Sequence, residues 1–232
     1  MDINEIILAL QTRGPAYTEA DLLFRFQAKE IPNCGRAILP DVFRALGYRV
    51  GVEVGVYRGE FNEHLCHSLP DATVIAVDAW ETGYDHCFTD QDAISDNERM
   101  TRERLAKYPN SVILKCSSLT AAAMFPPKSL DFVYIDADHR FVSVVQDMAA
   151  WTSRIRPGGM LAGHDYIQYA QRVPSHVPTA VAGFCMAYSI NPCCVLGSRH
   201  GDKTQRDKYR SWCFIVPNRP DYVYRPEQNE SL

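Results

Sequence analysis

The sequence predicts an α/β fold, a mostly parallel sheet with helices on both faces, and three features carry that expectation. From residue 48 onward, short apolar runs alternate with amphipathic segments, the pattern of strands connected by helices. The apolar runs are nearly continuous rather than alternating, as strands buried on both faces require. The first run, RVGVEV, passes directly into a turn with glycines at Gly55 and Gly59, and the second ends in an acid, Asp78.

The elements follow in order. Residues 1–47 read as a mostly helical extension: Thr18 is placed to cap EADLLFRFQAKE, and AILPDVFRALG stops at Gly47. RVGVEV is a strand, GEFNEHLCHSL a helix, TVIAVDA a strand. DNERMTRERLAKY is a helix with a charged outer face, and SVILKC a strand. A short helix near LTAAAMF leads to the strand LDFVYID. FVSVVQDMAAWTSR is a helix, GGMLAGHD a strand and VPTAVAGFCMAYSI a helix. CCVLG and RSWCFIVP are two last strands with no helix between them, a connection open to antiparallel pairing. The main domain therefore spans 48–217. Residues 218–232 form a polar tail.

The chain has 232 residues, 46% hydrophobic and 22% charged, enough for one substantial core. A formal net charge of -4 offers no global attraction to nucleic acid or an anionic membrane. The start, MDINEIILALQTRG, is acidic with a five-residue apolar run, a poor signal peptide. No apolar stretch approaches the roughly 18 residues of a membrane span. A cytoplasmic protein is expected, with self-association into a homo-oligomer left open. The eight cysteines show no CxxC pair and read as reduced, buried side chains.

Parallel sheets bind ligands at the carboxyl ends of their strands. Gly55 allows close backbone approach there, and Gly59 opens the next helix. Glu53 sits two residues before the turn, where a carboxylate repels a pyrophosphate and attracts an amine. Asp78 stands 23 residues after Gly55, the place of an acid that accepts hydrogen bonds from ribose hydroxyls. Trp80 is placed to cover an adenine face. A ligand with an adenosine at one end and a cationic amino acid at the other satisfies both acids, and S-adenosylmethionine is such a ligand.

EVGVYRGEF, AVDAW, DFVYIDADHRF and RPGGMLAGHDY together resemble the motifs of class I S-adenosylmethionine-dependent methyltransferases, most closely the bacterial small-molecule O-methyltransferases of the macrocin and novobiocin type. The resemblance implies a Rossmann-like, seven-stranded, mostly parallel sheet with one antiparallel strand. It implies cofactor contacts from Glu53, Gly55, Val56, Tyr57, Gly59 and Phe61 at the glycine turn, from Asp78, Ala79 and Trp80, from Ser117 and Ser118 beside the adenine, and from Asp136. Ser117 stands where the family often has an acid.

Asp136, Asp138 and His139 end one strand, and His164 and Asp165 end the next. Adjacent parallel strands bring these five groups to one rim. Such a cluster suits a divalent ion with positions open to substrate oxygens. The resemblance implies metal ligands at Asp136, His164 and Asp165, with Asp138 as general base; His139 is the alternative base. His164 departs from the family's oxygen ligand. Imidazole serves Mg²⁺ poorly and Mn²⁺ better, so either the metal differs or His164 works in a metal-free site. The expected activity is methylation of a hydroxyl on a small molecule, a sugar or a phenol. Rivals are an N-methyltransferase of the same fold, a nicotinamide-dependent oxidoreductase, which lacks support for want of a G-x-G-x-x-G run, and a cofactor-binding scaffold without turnover. In the polar connection 81–100, Tyr84, His86 and Phe88 are candidate acceptor contacts, as are Tyr166 and Tyr169.

Overall fold

The computed structural model describes residues 2–12, 26–83, 90–167, 176–197, 207 and 209–218. Helix α1 (Ile3–Gln11) is capped by Asp2, whose side chain accepts from the Asn4 amide. Strand β1 (Lys29–Ile31), a 3₁₀ turn (Arg36–Ile38) and α2 (Leu39–Ala45) follow. Then come β2 (Val50–Val54), α3 (Glu60–Ser68), β3 (Thr73–Asp78), α4 (Gln91–Leu105), β4 (Ser111–Lys115), α5 (Ser118–Met124), β5 (Leu130–Ile135), α6 (Phe141–Thr152), β6 (Ile155–Gly163), α7 (Val177–Ala187), β7 (Cys194–Leu196) and β8 (Ser211–Ile215).

The described strands form one eight-stranded sheet in the order β1-β7-β8-β6-β5-β2-β3-β4. β8 runs antiparallel to both β6 and β7, and every other pairing is parallel. The expected α/β class, the parallel core and the one reversed strand are all present. The strand number differs from the expected seven. The added strand is β1, which pairs with β7 at the edge of the sheet. The helix expected to reach residue 30 therefore does not extend through Lys29–Ile31; Thr18 and most of that segment lie outside the described residues.

Each face of the sheet carries a core. On one side Val52, Val54, Val133 and Leu161 pack against Val144, Met148 and Trp151 of α6 and Val181 and Phe184 of α7. On the other, Phe132, Tyr134 and Met160 meet Ile6 and Leu10 of α1, Val42 and Phe43 of α2 and Phe61 and Leu65 of α3. Side-chain alternation along each strand supplies both layers at once, which is why the runs read as continuously apolar. Among the described residues the cysteines are free thiols, Cys87 lying outside them. No described helix is long and apolar enough to cross a membrane.

Candidate functional site

The rim at the carboxyl ends of β2, β3, β5 and β6 gathers the residues singled out by sequence. Gly55 has φ +85°, and a Cβ there would lie 2.1 Å from the Asp136 carbonyl oxygen. The steric need for glycine here comes from the backbone at the end of β5, whereas the close approach expected was that of a ligand. Gly59, also at positive φ (+80°), starts α3.

Asp78 ties this turn to the end of β3. Its Oδ2 accepts from the Val56 amide at 2.8 Å and the Tyr57 amide at 3.0 Å, and its Oδ1 accepts from the Trp80 amide at 2.8 Å. Burial pushes the Asp78 carboxyl above its ordinary range, and the Trp80, Tyr57, Val56 and Ala79 amides pull against that shift. Trp80 is almost wholly buried among Val56, Ala76, Ile94 and Leu105, with its indole N–H on the Tyr57 carbonyl at 3.0 Å. Its ring faces do not stand open at the rim as an adenine platform. Tyr57 is exposed and carries the Arg58 guanidinium 4.9 Å above its ring.

Glu53 lies opposite Tyr134 in the sheet register and is 2% exposed. Burial pushes its carboxyl up to about 8, and the nearby Asn62 lowers it only in part. Its Oε2 and the Asn62 Nδ2 are enclosed without a hydrogen-bond partner. A buried carboxylate oxygen without a partner is costly unless a donor or cation meets it.

Ser117 caps α5, accepting from the Thr120 amide at 3.3 Å. Ser118 donates to Asp147 Oδ1 at 2.5 Å and accepts from the Trp151 indole at 2.9 Å. Burial lifts Asp147 to about 6. Both serines are engaged within the fold at the end of β4.

The acids beyond β5 and β6 divide into two groups. Asp138 points into a pocket of donors: the Arg140 amide at 3.0 Å, the Arg140 guanidinium through Nε and Nη2, and Ser143 Oγ at 2.8 Å. Burial raises it, but Arg140 and Ser143 outweigh burial and hold the carboxyl below its ordinary value. A carboxylate that is paired and held low is a weak proton acceptor. Asp138, expected as the general base, is thus paired rather than free, and it anchors the turn into α6.

The second group is Asp136, His139, His164 and Asp165. His139 Nε2 lies 2.8 Å from Asp165 Oδ2. His164 Nδ1 lies 3.4 Å from that same oxygen and 3.6 Å from Asp136 Oδ1. Burial would lower His164, but the hydrogen bonds and charges of Asp136 and Asp165 push it up to about 9, so it is cationic at neutral pH. Burial would raise Asp165; the two histidines hold it far below the carboxylate range.

Proximity would admit a metal ion, since ligand atoms of Asp136, His139 and Asp165 lie within 4.8 Å of one another. This set takes His139 where the resemblance pointed to His164. The charge does not suit an ion. Arg36 Nη1 already lies 3.2 Å from Asp136 Oδ2, and the imidazoles flank Asp165. The donor set as it stands does not fit a bridging dication.

Arg36 escaped the sequence reading. It lies 100 positions before its partner Asp136, in a segment with no strand or helix period to aim it. Tyr84, His86, Phe88 and Tyr169 lie outside the described residues. Tyr166 is described, half-buried, with the Arg210 guanidinium 5.8 Å from its ring. A cavity of about 130 Å³ lined by Arg44, Tyr48, Arg49 and residues 69–72 lies at the opposite, amino ends of β2 and β3 and takes no part in the rim.

Residues 52–166 match a family model described as a methyltransferase domain. No curated protein sequence matches the chain. Among solved structures, the chain is similar to cofactor-bound Rv0187 from MTB, at 15% identity and a TM-score of 0.56 over 78% of this chain and 79% of that one. It is similar to the O-methyltransferase TomG from Streptomyces achromogenes, involved in tomaymycin synthesis and solved in complex with SAM, at 13% identity and a TM-score of 0.51 over 78% of each chain. A Klebsiella pneumoniae protein described as an O-methyltransferase aligns at 14% identity and a TM-score of 0.54 over 77% of this chain and 78% of that one. At these identities the structural likeness is one of fold.

Proposed function

We propose, from the match of residues 52–166 to a methyltransferase-domain family model, that the protein is a class I S-adenosylmethionine-dependent enzyme that methylates a hydroxyl of a small molecule. The observation that carries the reading is the His139–Asp165 pair at 2.8 Å, on the same rim as the glycine turn. Oxygen methylation needs a group that removes the acceptor's proton, and this pair is built for that.

S-adenosylmethionine, when bound, supplies an electrophilic methyl group on a sulfonium. The chain's own residues do the rest. Glu53, enclosed and without a partner at Oε2, is the acid suited to the ligand's ammonium. Asp78 holds the Val56 and Tyr57 amides, so the turn keeps its shape before a ligand arrives. Four backbone amides, those of Val56, Tyr57, Trp80 and Ala79, take up its carboxylate. His139 takes the proton of the acceptor hydroxyl as the oxygen becomes a nucleophile. Asp165 steadies the imidazolium that forms, in the manner of an acid behind a histidine base. His164 Nδ1 faces both acids, at 3.6 Å from Asp136 and 3.4 Å from Asp165, and its imidazole holds Asp165 toward the carboxylate.

Isothermal titration with S-adenosylhomocysteine and with NAD tests the cofactor. Binding of the first and not the second is expected; the reverse overturns the reading. Methyl transfer is tested with labelled S-adenosylmethionine and a panel of sugar and phenol hydroxyls, the product being characterised by NMR. A product methylated on nitrogen overturns the oxygen assignment.

A further inference from the structure

The acids at the rim already face a permanent cation that the chain supplies. Arg36 Nη1 lies 3.2 Å from Asp136 Oδ2. The same guanidinium stacks 5.0 Å over the Phe61 ring. The Arg36 amide donates to Asp207 Oδ2 at 2.6 Å. Contacts from α3, from the end of β5 and from the segment before β8 therefore converge on this one residue. Burial works against its charge, but Tyr134, Asp136 and Asp207 outweigh that and hold the guanidinium protonated. An arginine does not lose its proton at any pH the fold survives, so the charge beside Asp136 is fixed.

A dication bridging Asp136 and Asp165 would meet this charge directly. Hard divalent ions bind where oxygen ligands carry net negative charge and can turn inward. Here one oxygen of Asp136 is turned to Arg36, and the other faces His164 at 3.6 Å.

The geometry points to Arg36 as a resident cation that takes the place of a divalent ion at the acceptor site, orienting and neutralising Asp136 so that the site works without metal. Arg36 acts through Asp136 and is a positioning residue. This role makes the N-terminal segment part of the reaction rim: β1 is hydrogen-bonded to β7, and the chain running on from it delivers Arg36. The inference rests on the rim being the acceptor site, but its test uses neither acceptor nor turnover.

The experiment follows the electron paramagnetic resonance of free Mn²⁺ as protein is added. Wild type should leave the signal unchanged, and its affinity for S-adenosylhomocysteine should not move on adding a chelator. Arg36→Met should take up one Mn²⁺ per chain, and adding Asp136→Asn to that variant should abolish the uptake. Arg36→Lys, which keeps the charge, should behave as wild type, a rescue that a merely structural role would not give. Arg36→Gln serves as the neutral variant if the methionine protein does not fold. The inference is overturned if wild type binds one Mn²⁺ that Asp136→Asn removes. It is equally overturned if the folded neutral variants bind none. A protein that fails to methylate any hydroxyl would sink the proposed function and leave these metal results untouched.

Discussion

Glu53→Gln should change how stability depends on pH, and the size of the change follows from the structure. The carboxyl is 2% exposed and burial pushes it from 4.5 up to about 8. The unfolded chain releases this proton near its ordinary value, while the folded protein holds it. The stability associated with the group is therefore full below about 4.5 and is lost as pH rises through about 8. Each pH unit in that window changes the balance by about 1.4 kcal/mol, so the whole span amounts to at most roughly 5 kcal/mol. Glutamine has nearly the same shape and carries no proton to lose. Urea unfolding at several values between pH 5 and 8 should show wild type losing stability relative to Glu53→Gln by several kcal/mol across the series. Parallel curves, within about 0.5 kcal/mol, would refute the claim that this acid is neutral in the fold. A ligand ammonium placed beside Glu53 should draw it toward the charged form. Binding of S-adenosylhomocysteine at pH 7 should then release a proton, seen as a dependence of the calorimetric heat on the buffer's ionisation enthalpy. No release would place the ammonium elsewhere.

Gly55→Ala would put a Cβ at positive φ and 2.1 Å from the Asp136 carbonyl oxygen, and a loss of about 3 kcal/mol or more is expected. At about 2–4 °C per kcal/mol for a chain of this size, the melting midpoint should fall by roughly 6–12 °C; an unshifted midpoint would remove the argument. Asp78→Ala strips an acceptor from the Val56, Tyr57 and Trp80 amides at about 1.5–3 kcal/mol each, so thermal stability and S-adenosylhomocysteine binding should fall together. Binding lost with stability intact would make Asp78 a ligand contact alone. His139→Gln should reduce methyl transfer by about 10²–10⁴-fold with cofactor affinity kept, whereas Asp138→Asn should weaken the fold more than the rate. The opposite pair of outcomes, read from turnover and melting on the same preparations, would return the base to Asp138.

The parallel core was legible because buried strands leave a plain mark: RVGVEV, TVIAVD and LDFVYI are apolar on both faces, and both faces are covered. The glycine turn and the acids after β3, β5 and β6 were legible for a related reason, since strand ends fix which residues reach the rim. What each of those residues does there was less so. Trp80 follows the acid where an adenine platform is expected, yet Ile94 and Leu105 of α4 bury it, and α4 lies beyond a loop whose path no local pattern specifies. Strand β1 has three residues, two of them exposed, too short to display a period of two.

Asp138 and His139 show where local pattern stops deciding chemistry. They are neighbours, both titratable, both at the end of β5, and the sequence alone lets either be the base. Their fates separate because the chain turns into α6 immediately afterwards. Arg140 and Ser143, two and five positions after Asp138, close around its carboxylate. His139 meets Asp165, a residue on the far side of the next crossover. The pairing that disqualifies Asp138 is local, and Arg140 at i+2 was visible as a candidate partner in DADHRF. The contact between His139 and Asp165 requires β5 and β6 to lie side by side in register, with Ile135 opposite Gly163. That register brings the residues after each strand to one rim, and Asp165, at φ +53°, meets His139 there. The proposed choice of His139 over Asp138 thus rests on sheet topology combined with one short helix entry.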